Sequence, residues 1–188
     1  MRTIVTSAVL ALALGLAPAS GQSVVGKAQE AERLLAAGKV GEAMDAMDDA
    51  AVLLWEKAPL TFRRSVWVTE RATGFGLFNA RDNAVFSSGQ PMLVYAEPIG
   101  FGWRKDGDAY RTDMVADIVF RSADGKELFR KDEFLTMQLA GRYRNREFFT
   151  NMNYTLTGVP AGEYRVETIF RDRTSGKTGS FTLPLTIR

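Results

Sequence analysis

The sequence predicts a mainly β protein, a single antiparallel β-sandwich preceded by an α-helical hairpin. Apolar residues recur at spacings of three and four only between residues 23 and 58. From residue 61 onward they recur at alternate positions, and turn-forming residues interrupt the chain at short intervals. Short strands with no helix between them are typical of sandwiches. We therefore expect a signal peptide at 1–19, a hairpin at 20–60 and a sandwich at 61–188.

The first residues have the order of a secretory signal peptide. Arg2 supplies a positive start, an apolar run extends over Ile4–Ala17, and the small residues of Ala17-Pro18-Ala19 suit a signal peptidase. The alternative is a membrane anchor, but as a helix this run would be about 21 Å long, shorter than the ~30 Å hydrocarbon core. We expect cleavage before Ser20 and a periplasmic mature chain without a transmembrane segment.

The composition excludes several kinds of chemistry. The 188 residues include no His and no Cys, and 24 Lys and Arg against 22 Asp and Glu leave a net charge of only +2. A chain without His or Cys has no imidazole base, no thiol nucleophile, no thiolate zinc site and no disulfide. The charge is too small for general nucleic-acid affinity. We therefore expect no enzyme activity, no metal, no cofactor and no nucleic-acid partner.

Two series of apolar residues at helical spacing predict the hairpin. We expect Gly38-Lys39 to form the turn between the helices and Pro59 to end the second helix. The expected apolar faces consist of Ala28, Ala31, Leu34 and Leu35 in the first helix, and of Met44, Met47, Ala51, Leu54 and Ala58 in the second. The spacing of Leu34, Ala43, Met47 and Ala50 is similar to that of a tetratricopeptide-type repeat. A stable array needs about three such repeats. The hairpin either packs on the next domain or a partner, or it binds a peptide.

We expect short strands at 65–70, 92–97, 110–120, 127–130, 148–156, 164–171 and 181–187. Alternation in the third strand places Met114, Ala116, Ile118 and Phe120 on one face. In the last strand it does the same for Phe181, Leu183, Leu185 and Ile187.

One turn resembles the tyrosine corner of immunoglobulin-like and fibronectin-type sandwiches. Its residues are Leu156, Val159-Pro160, Gly162 and Tyr164. In that corner, a Tyr near the start of a late strand bonds back to the preceding backbone. The resemblance implies an immunoglobulin-like architecture, with Tyr164 buried and its hydroxyl bonded near Val159. The Cys…Trp…Cys signature of true immunoglobulin domains is absent from the sequence.

Four segments are similar to a group of uncharacterised bacterial periplasmic proteins that have a signal peptide, a short helical hairpin and an immunoglobulin-like sandwich. They are Tyr95–Trp103, Asn145–Phe149, Pro160–Tyr164 and Asp172–Lys177. The similarity covers most of residues 62–188. It implies a location and a fold, and no activity.

A Pro- and Gly-rich loop after the second predicted strand is the first candidate binding site. Alternation places Tyr95 and Glu97 on one face of the strand, and the loop then carries Phe101 and Trp103. Large aromatic residues on a loop at the end of a sandwich suit recognition of a sugar or a peptide. Two interpretations stay open: the aromatic residues contact a ligand, with Glu97 near them, or they fold back as a plug over the core.

Three arginines at alternate positions form the second candidate site. In an extended chain Arg142, Arg144 and Arg146 share one face, and guanidinium groups suit bidentate capture of phosphate or carboxylate. The alternative is a solvated edge strand whose charges oppose pairing with another chain.

The leading hypothesis is a non-catalytic exported module that binds a protein or a cell-envelope component. One alternative is a sugar- or small-molecule-binding domain that uses Phe101 and Trp103. The other is a carboxylate-dependent hydrolase of cell-wall glycan, for which Asp113 and Asp117, on one strand face, are example acids.

Overall fold

The computed structural model describes residues 23–188, so the expected signal peptide lies outside the described residues. The described residues divide into two compact units, with the division between Leu53 and Leu54. The division falls before the expected boundary at residue 60. The reason is that Trp55 and Leu60 belong to the hydrophobic core of the second unit.

Two helices form the predicted hairpin, α1 at Val24–Ala36 and α2 at Val40–Lys57. The Ser23 side chain caps α1 by accepting a 2.9 Å hydrogen bond from the backbone N–H of Gly26. Between the helices, Gly38 has a φ of 76°, a left-handed conformation that glycine adopts at little cost. The predicted turn is therefore confirmed.

The buried face of the hairpin differs from the predicted one. Ala31 and Leu34 of α1 pack with Ala43 and Ala46 of α2. The predicted face of α2 was wrong at three positions, since Met44, Met47 and Leu54 are 68%, 46% and 60% exposed. Small alanine side chains allow the two helix backbones to approach closely. The second helix therefore contacts the first through its alanines rather than through its methionines. Nothing in the spacing of apolar residues distinguishes the two series.

Nine strands form the second unit: β1 Thr61–Val68, β2 Val85–Phe86, β3 Met92–Ile99, β4 Arg104–Asp106, β5 Ala109–Ser122, β6 Glu127–Gly141, β7 Thr150–Tyr154, β8 Gly162–Asp172 and β9 Thr178–Ile187. One sheet has the order β1-β3-β7, and the other has the order β2-β9-β8-β5-β4, with β6 also paired to β5. All neighbours are antiparallel except β2 and β9, which are parallel.

The two sheets enclose one hydrophobic core. Trp67, Val94 and Met152 contribute from the smaller sheet, and Phe170 and Ile187 from the larger. The face predicted for the longest strand is part of this core, with Met114, Ala116, Ile118 and Phe120 all buried. The prediction of a β-sandwich preceded by a helical hairpin is confirmed.

Strand β6 is much longer than predicted. It was expected to end at Arg130 and instead continues to Gly141. Within residues 23–188 it pairs only with β5, and most of its side chains face solvent. Its second half nevertheless alternates, with Leu135, Met137 and Leu139 turned inward. A bulge interrupts the ladder between Ala116 and Ile118, where Glu133 has a φ of 51°.

The tyrosine corner is present in part. The Tyr164 hydroxyl donates a 2.9 Å hydrogen bond to the Pro160 carbonyl oxygen, as the resemblance implies. The Tyr164 ring is partly buried against the main core and stacks on Phe120, with the ring centroids 4.9 Å apart. Across residues 23–188, no helix combines the length and apolar character needed to cross a membrane.

Candidate functional site

The aromatic loop leaves β3 at Gly100. Pro98 still pairs with Phe62 of β1, so the ladder extends further than the prolines and glycines suggest. Gly100 has a φ of 80°, and a Cβ there would lie 2.2 Å from the Pro59 carbonyl oxygen. Only glycine fits this close approach of two backbone segments. The loop is therefore held tightly against the chain that follows α2.

Phe101 points into the core. It is completely buried and packs edge-on against Trp55, with the ring centroids 5.2 Å apart. The indole N–H of Trp55 donates a 2.7 Å hydrogen bond to the Phe101 carbonyl oxygen. This burial supports the plug interpretation for Phe101 and leaves no surface through which it could touch a ligand.

Trp103 is half-buried and stacks on Trp55 at 5.4 Å. It lines a pocket of about 50 Å³, which we call the rim pocket, together with Tyr110, Thr112, Tyr143 and Asn145. Within the described chain, the buried Nε1 of Trp103 has no hydrogen-bond partner. The loop therefore presents one aromatic residue to the core and the other to a pocket at the end of the sandwich.

Thr112 is the second polar group of the rim pocket. Its position on β5 continues the inward-facing series that begins at Met114, and the residue is only 3% exposed. No described residue provides a hydrogen-bond partner for its Oγ1. Buried polar groups without partners cost about 1–3 kcal/mol each. Trp103 and Thr112, which both line the rim pocket, thus each carry a buried polar atom without a partner among the described residues.

The arginine segment, residues 142–146, lies at the same end of the sandwich as the rim pocket, which Tyr143 and Asn145 help to line. Residues 142–149 belong to none of the described strands. Arg144 lies over the ring of Tyr110, 4.7 Å from its centroid, whereas Arg142 is exposed and Arg146 is half-buried. Tyr143, which the sequence analysis did not single out, is 84% exposed. The fold thus brings the arginine segment to the rim pocket, where Tyr143 and Asn145 are lining residues and Arg144 lies over Tyr110.

Tyr95 and Glu97 lie elsewhere, in a small cluster on the other face of β3. Tyr95 is completely buried between Phe78 and Phe149, with ring centroids 4.3 and 5.6 Å away. Val94 and Ala96 face the main core, so alternation turns Tyr95 and Glu97 away from it. The expectation that Glu97 lies near Phe101 and Trp103 was therefore wrong.

The Tyr95 hydroxyl joins two parts of this cluster. It donates a 2.6 Å hydrogen bond to Glu97 Oε1 and accepts one of 2.7 Å from the backbone N–H of Gly76. Burial, followed by the bond to Glu97, raises the pKa of Tyr95 to about 12. Glu97 is only 4% exposed. The pair holds the segment around Gly76 on the sheet, which is a structural role.

The turn between β8 and β9 fixes the aromatic loop. Buried Asp172 accepts hydrogen bonds from the backbone N–H groups of Gly102 (2.6 Å) and Thr174 (2.8 Å), and from the Ser175 hydroxyl. The ammonium group of Lys177 donates 2.8 Å hydrogen bonds to three carbonyl oxygens, those of Glu56, Ala58 and Gly100. The loop is thus positioned before any ligand binds.

Asp117, one of the two acids considered for glycan hydrolysis, is held in an ion pair. Asp117 is 2% exposed and makes two 2.9 Å hydrogen bonds with Arg171. These bonds lower the pKa of Asp117 and keep it ionised, which does not suit a general acid. Asp117 also accepts a hydrogen bond from the Glu133 N–H and so stabilises the bulge of β6. No group of three potential metal ligands occurs within residues 23–188.

Neither a known protein family nor a curated protein matches this chain. Among solved structures, it is similar to the PKD domain of an M14-like peptidase from a Thermoplasmatales archaeon, with 11% identity, 69% of this chain and 96% of that one covered, and a TM-score of 0.37. It is also similar to a Niemann-Pick type C2 protein from the Japanese carpenter ant, with 8% identity, 70% and 94% coverage, and a TM-score of 0.41. Likenesses this distant assign no ligand to the site.

Proposed function

We propose that this chain is a non-catalytic exported module that binds a protein of the cell envelope through the rim pocket. One observation carries the proposal: the half-buried ring of Trp103 and the highly exposed ring of Tyr143 line the same small pocket at one end of the sandwich. Exposed aromatic rings of this kind are typical anchors of protein interfaces.

The residue types at this end favour a protein partner. Trp, Tyr and Arg are enriched at protein interfaces and supply most of their binding hot spots, and Trp103, Tyr143 and Arg144 provide all three. Exposed Arg142 extends the same surface with a charged rim. The rim pocket, at about 50 Å³, has room for the end of one side chain rather than for a whole sugar ring. This size favours a protein over the sugar-binding alternative.

Two further features support the proposed export and the proposed non-catalytic role: the sequence pattern of the first residues and the ion pair of Asp117. The signal-peptide pattern of residues 1–19 supports export to the periplasm. The absence of His and Cys, together with the ion pair that occupies Asp117, supports a role in binding rather than in catalysis.

A capture experiment with a matched pair of surface variants tests the proposal. Residues 20–188 are used as bait in extracts of the native cell envelope. Tyr143→Ala removes an exposed ring beside the rim pocket. Phe129→Ala removes a ring that is 51% exposed at the opposite end of the β5–β6 hairpin. We expect Tyr143→Ala to lose the captured protein and Phe129→Ala to retain it. Equal capture by the two variants, or no specific capture by the unaltered chain, would contradict the proposal.

A further inference from the structure

Helix α2 carries a row of apolar side chains that the described chain leaves open to solvent. Val40, Met44, Met47 and Leu54 are 54%, 68%, 46% and 60% exposed. Half-buried Ala51 lies between the last two, so apolar residues recur along α2 at alternating spacings of four and three. We call these five residues the α2 stripe. Single exposed apolar residues are common on proteins, whereas a contiguous row marks a site of interaction with another molecule.

The spacing of the α2 stripe indicates that its occupant is a helix. A repeat of four and three keeps apolar side chains on one narrow seam, along which a second helix packs. Helix α1 does not fill this role, because the contact between the two helices is made by Ala43 and Ala46 on a neighbouring face of α2. From Val40 to Leu54 the seam is about 21 Å long, enough for about four turns of a docked helix.

The charges of α2 select among helices. The helix has five acidic residues and one lysine. Glu42 and Asp49 pair with lysines of the hairpin, at 3.0 and 3.2 Å. Asp45 and Asp48 are exposed and, at 100° per residue, lie along the border of the α2 stripe that faces away from the alanine contact. A second copy of this chain would bring an equally acidic helix to the stripe, whereas a basic helix would be attracted to it.

We propose that the α2 stripe binds a basic amphipathic helix of another protein. Apolar side chains of that helix pack on Met44 and Met47, and its Lys or Arg side chains lie near Asp45 and Asp48. Methionine suits such a surface, because its flexible and polarisable side chain adapts to the shape of a partner. The inference goes beyond the proposed function, since it assigns a second interaction surface, on the helical hairpin.

Three synthetic peptides separate the contributions of spacing and charge. The probe is a fluorescent peptide of about 20 residues, with leucine at alternating spacings of four and three, lysine at the flanking positions and alanine elsewhere. One control has the same composition with the leucines shuffled, and the other has glutamate in place of lysine. Fluorescence anisotropy measures their binding to residues 20–188. We expect saturable binding of the probe and about tenfold or more weaker binding of both controls.

A pair of matched variants assigns the binding to the α2 stripe. Met44→Gln and Met47→Gln combined keep the length and the helix propensity of the side chains and remove their apolar ends, so affinity for the probe should fall about tenfold or more. Leu77→Gln changes an apolar residue that is 64% exposed outside the hairpin and should retain the affinity. Unchanged circular dichroism shows that α2 is intact in both. The sequence as a whole has a net charge of +2, so a preference for the basic peptide reports the local charge of α2.

Three results would overturn the inference: no binding of the probe, equal binding of the probe and either control peptide, or an affinity that the methionine variant does not change. Sedimentation tests the second-copy alternative. Self-association of the unaltered chain that the methionine variant abolishes would make another copy the occupant and reject the basic helix. Tyr143→Ala should bind the probe as the unaltered chain does. The α2 stripe and the rim pocket are therefore tested separately, and failure of one proposal leaves the other standing.

Discussion

The carboxylate of Asp172 accepts a 2.6 Å hydrogen bond from the backbone N–H of Gly102, and this bond joins the β8–β9 turn to the loop that carries Trp103. Lys177, on the other side of the same turn, holds the loop through the Gly100 carbonyl oxygen. Two charged side chains thus satisfy backbone groups of the loop that would otherwise be exposed or unpaired. The position of Trp103 at the rim pocket depends on this turn.

Asp172→Ala should destabilise the fold strongly. The substitution removes the acceptor for three donors in a place where the residue is only 2% exposed, and we expect a loss of about 3 kcal/mol in the free energy of unfolding. Urea denaturation measures it. Asp132→Ala is the control, since its carboxylate is 61% exposed and pairs only with Arg130, so its removal should cost less than about 1 kcal/mol. Similar losses in the two variants would refute the role of Asp172.

Gly102→Ala should destabilise through a steric clash. An added Cβ would lie 2.7 Å from the Cβ of Ser175, so the loop or the turn must shift, at a cost of about 1–3 kcal/mol. Gly41→Ala in α2 is the control, because a Cβ there meets no atom within 4 Å and alanine favours a helix. Thermal melting should show a lower midpoint for the first variant and an equal or higher one for the second. A Gly102→Ala protein as stable as the unaltered chain would show that the loop is not held by the turn.

Tyr164→Phe should have a smaller effect than Tyr154→Phe. The Tyr164 hydroxyl bonds to Pro160 at an exposed position, where water can replace the bond, so the expected cost is below about 1 kcal/mol. The Tyr154 hydroxyl is buried and lies 2.8 Å from Thr168 Oγ1, so its removal strands a buried group and should cost about 1–3 kcal/mol. The two denaturation midpoints check the order. A larger loss of stability in Tyr164→Phe than in Tyr154→Phe would show that the bond from Tyr164 to Pro160 stabilises the fold more than an exposed hydrogen bond should.

Tyr95 should make the protein sensitive to alkali. Its pKa is about 12 in the folded state, against 10.0 for the unperturbed side chain. Below pH 10 both states keep the proton. Between pH 10 and 12 the unfolded state releases it and the folded state does not, so the free energy of unfolding falls by up to about 1.4 kcal/mol per pH unit. Tyr95→Phe should therefore show a shallower loss of stability over this range. Identical pH profiles of urea midpoints would exclude this contribution.

The sequence alone predicted those helices and strands in which apolar residues recur at a regular spacing. The hairpin turn at Gly38 and the inward face of β5 follow from local spacing alone, and both are confirmed. Strand β6 was predicted only at its start, because its first seven residues are all exposed and the bulge at Glu133 separates them from the later alternation of Leu135, Met137 and Leu139. The buried face of the helices was misassigned because alanine and methionine are both apolar, and the choice between them depends on how closely the helices approach.

The candidate site was predicted as separate pieces. Trp103 and Arg144 were singled out by residue type, but the approach of their two segments, through Tyr110, depends on contacts between distant parts of the chain. Thr112 could have been noticed, since it is a polar residue in register with the inward-facing Met114 of the same strand. The separation of Glu97 from the aromatic loop follows from the alternation of β3. It becomes visible only when the faces of that strand are known.

The central claim is that the end of the sandwich around the rim pocket contacts a partner protein. The most direct measurement is photo-crosslinking in cells, with a photoreactive phenylalanine derivative in place of Tyr143 and, in a second strain, in place of Phe129. Both positions are exposed, at 84% and 51%, so neither replacement should disturb folding. We predict a crosslinked protein adduct from position 143 and none from position 129. Absence of an adduct at 143, or an adduct at 129 alone, would contradict the claim.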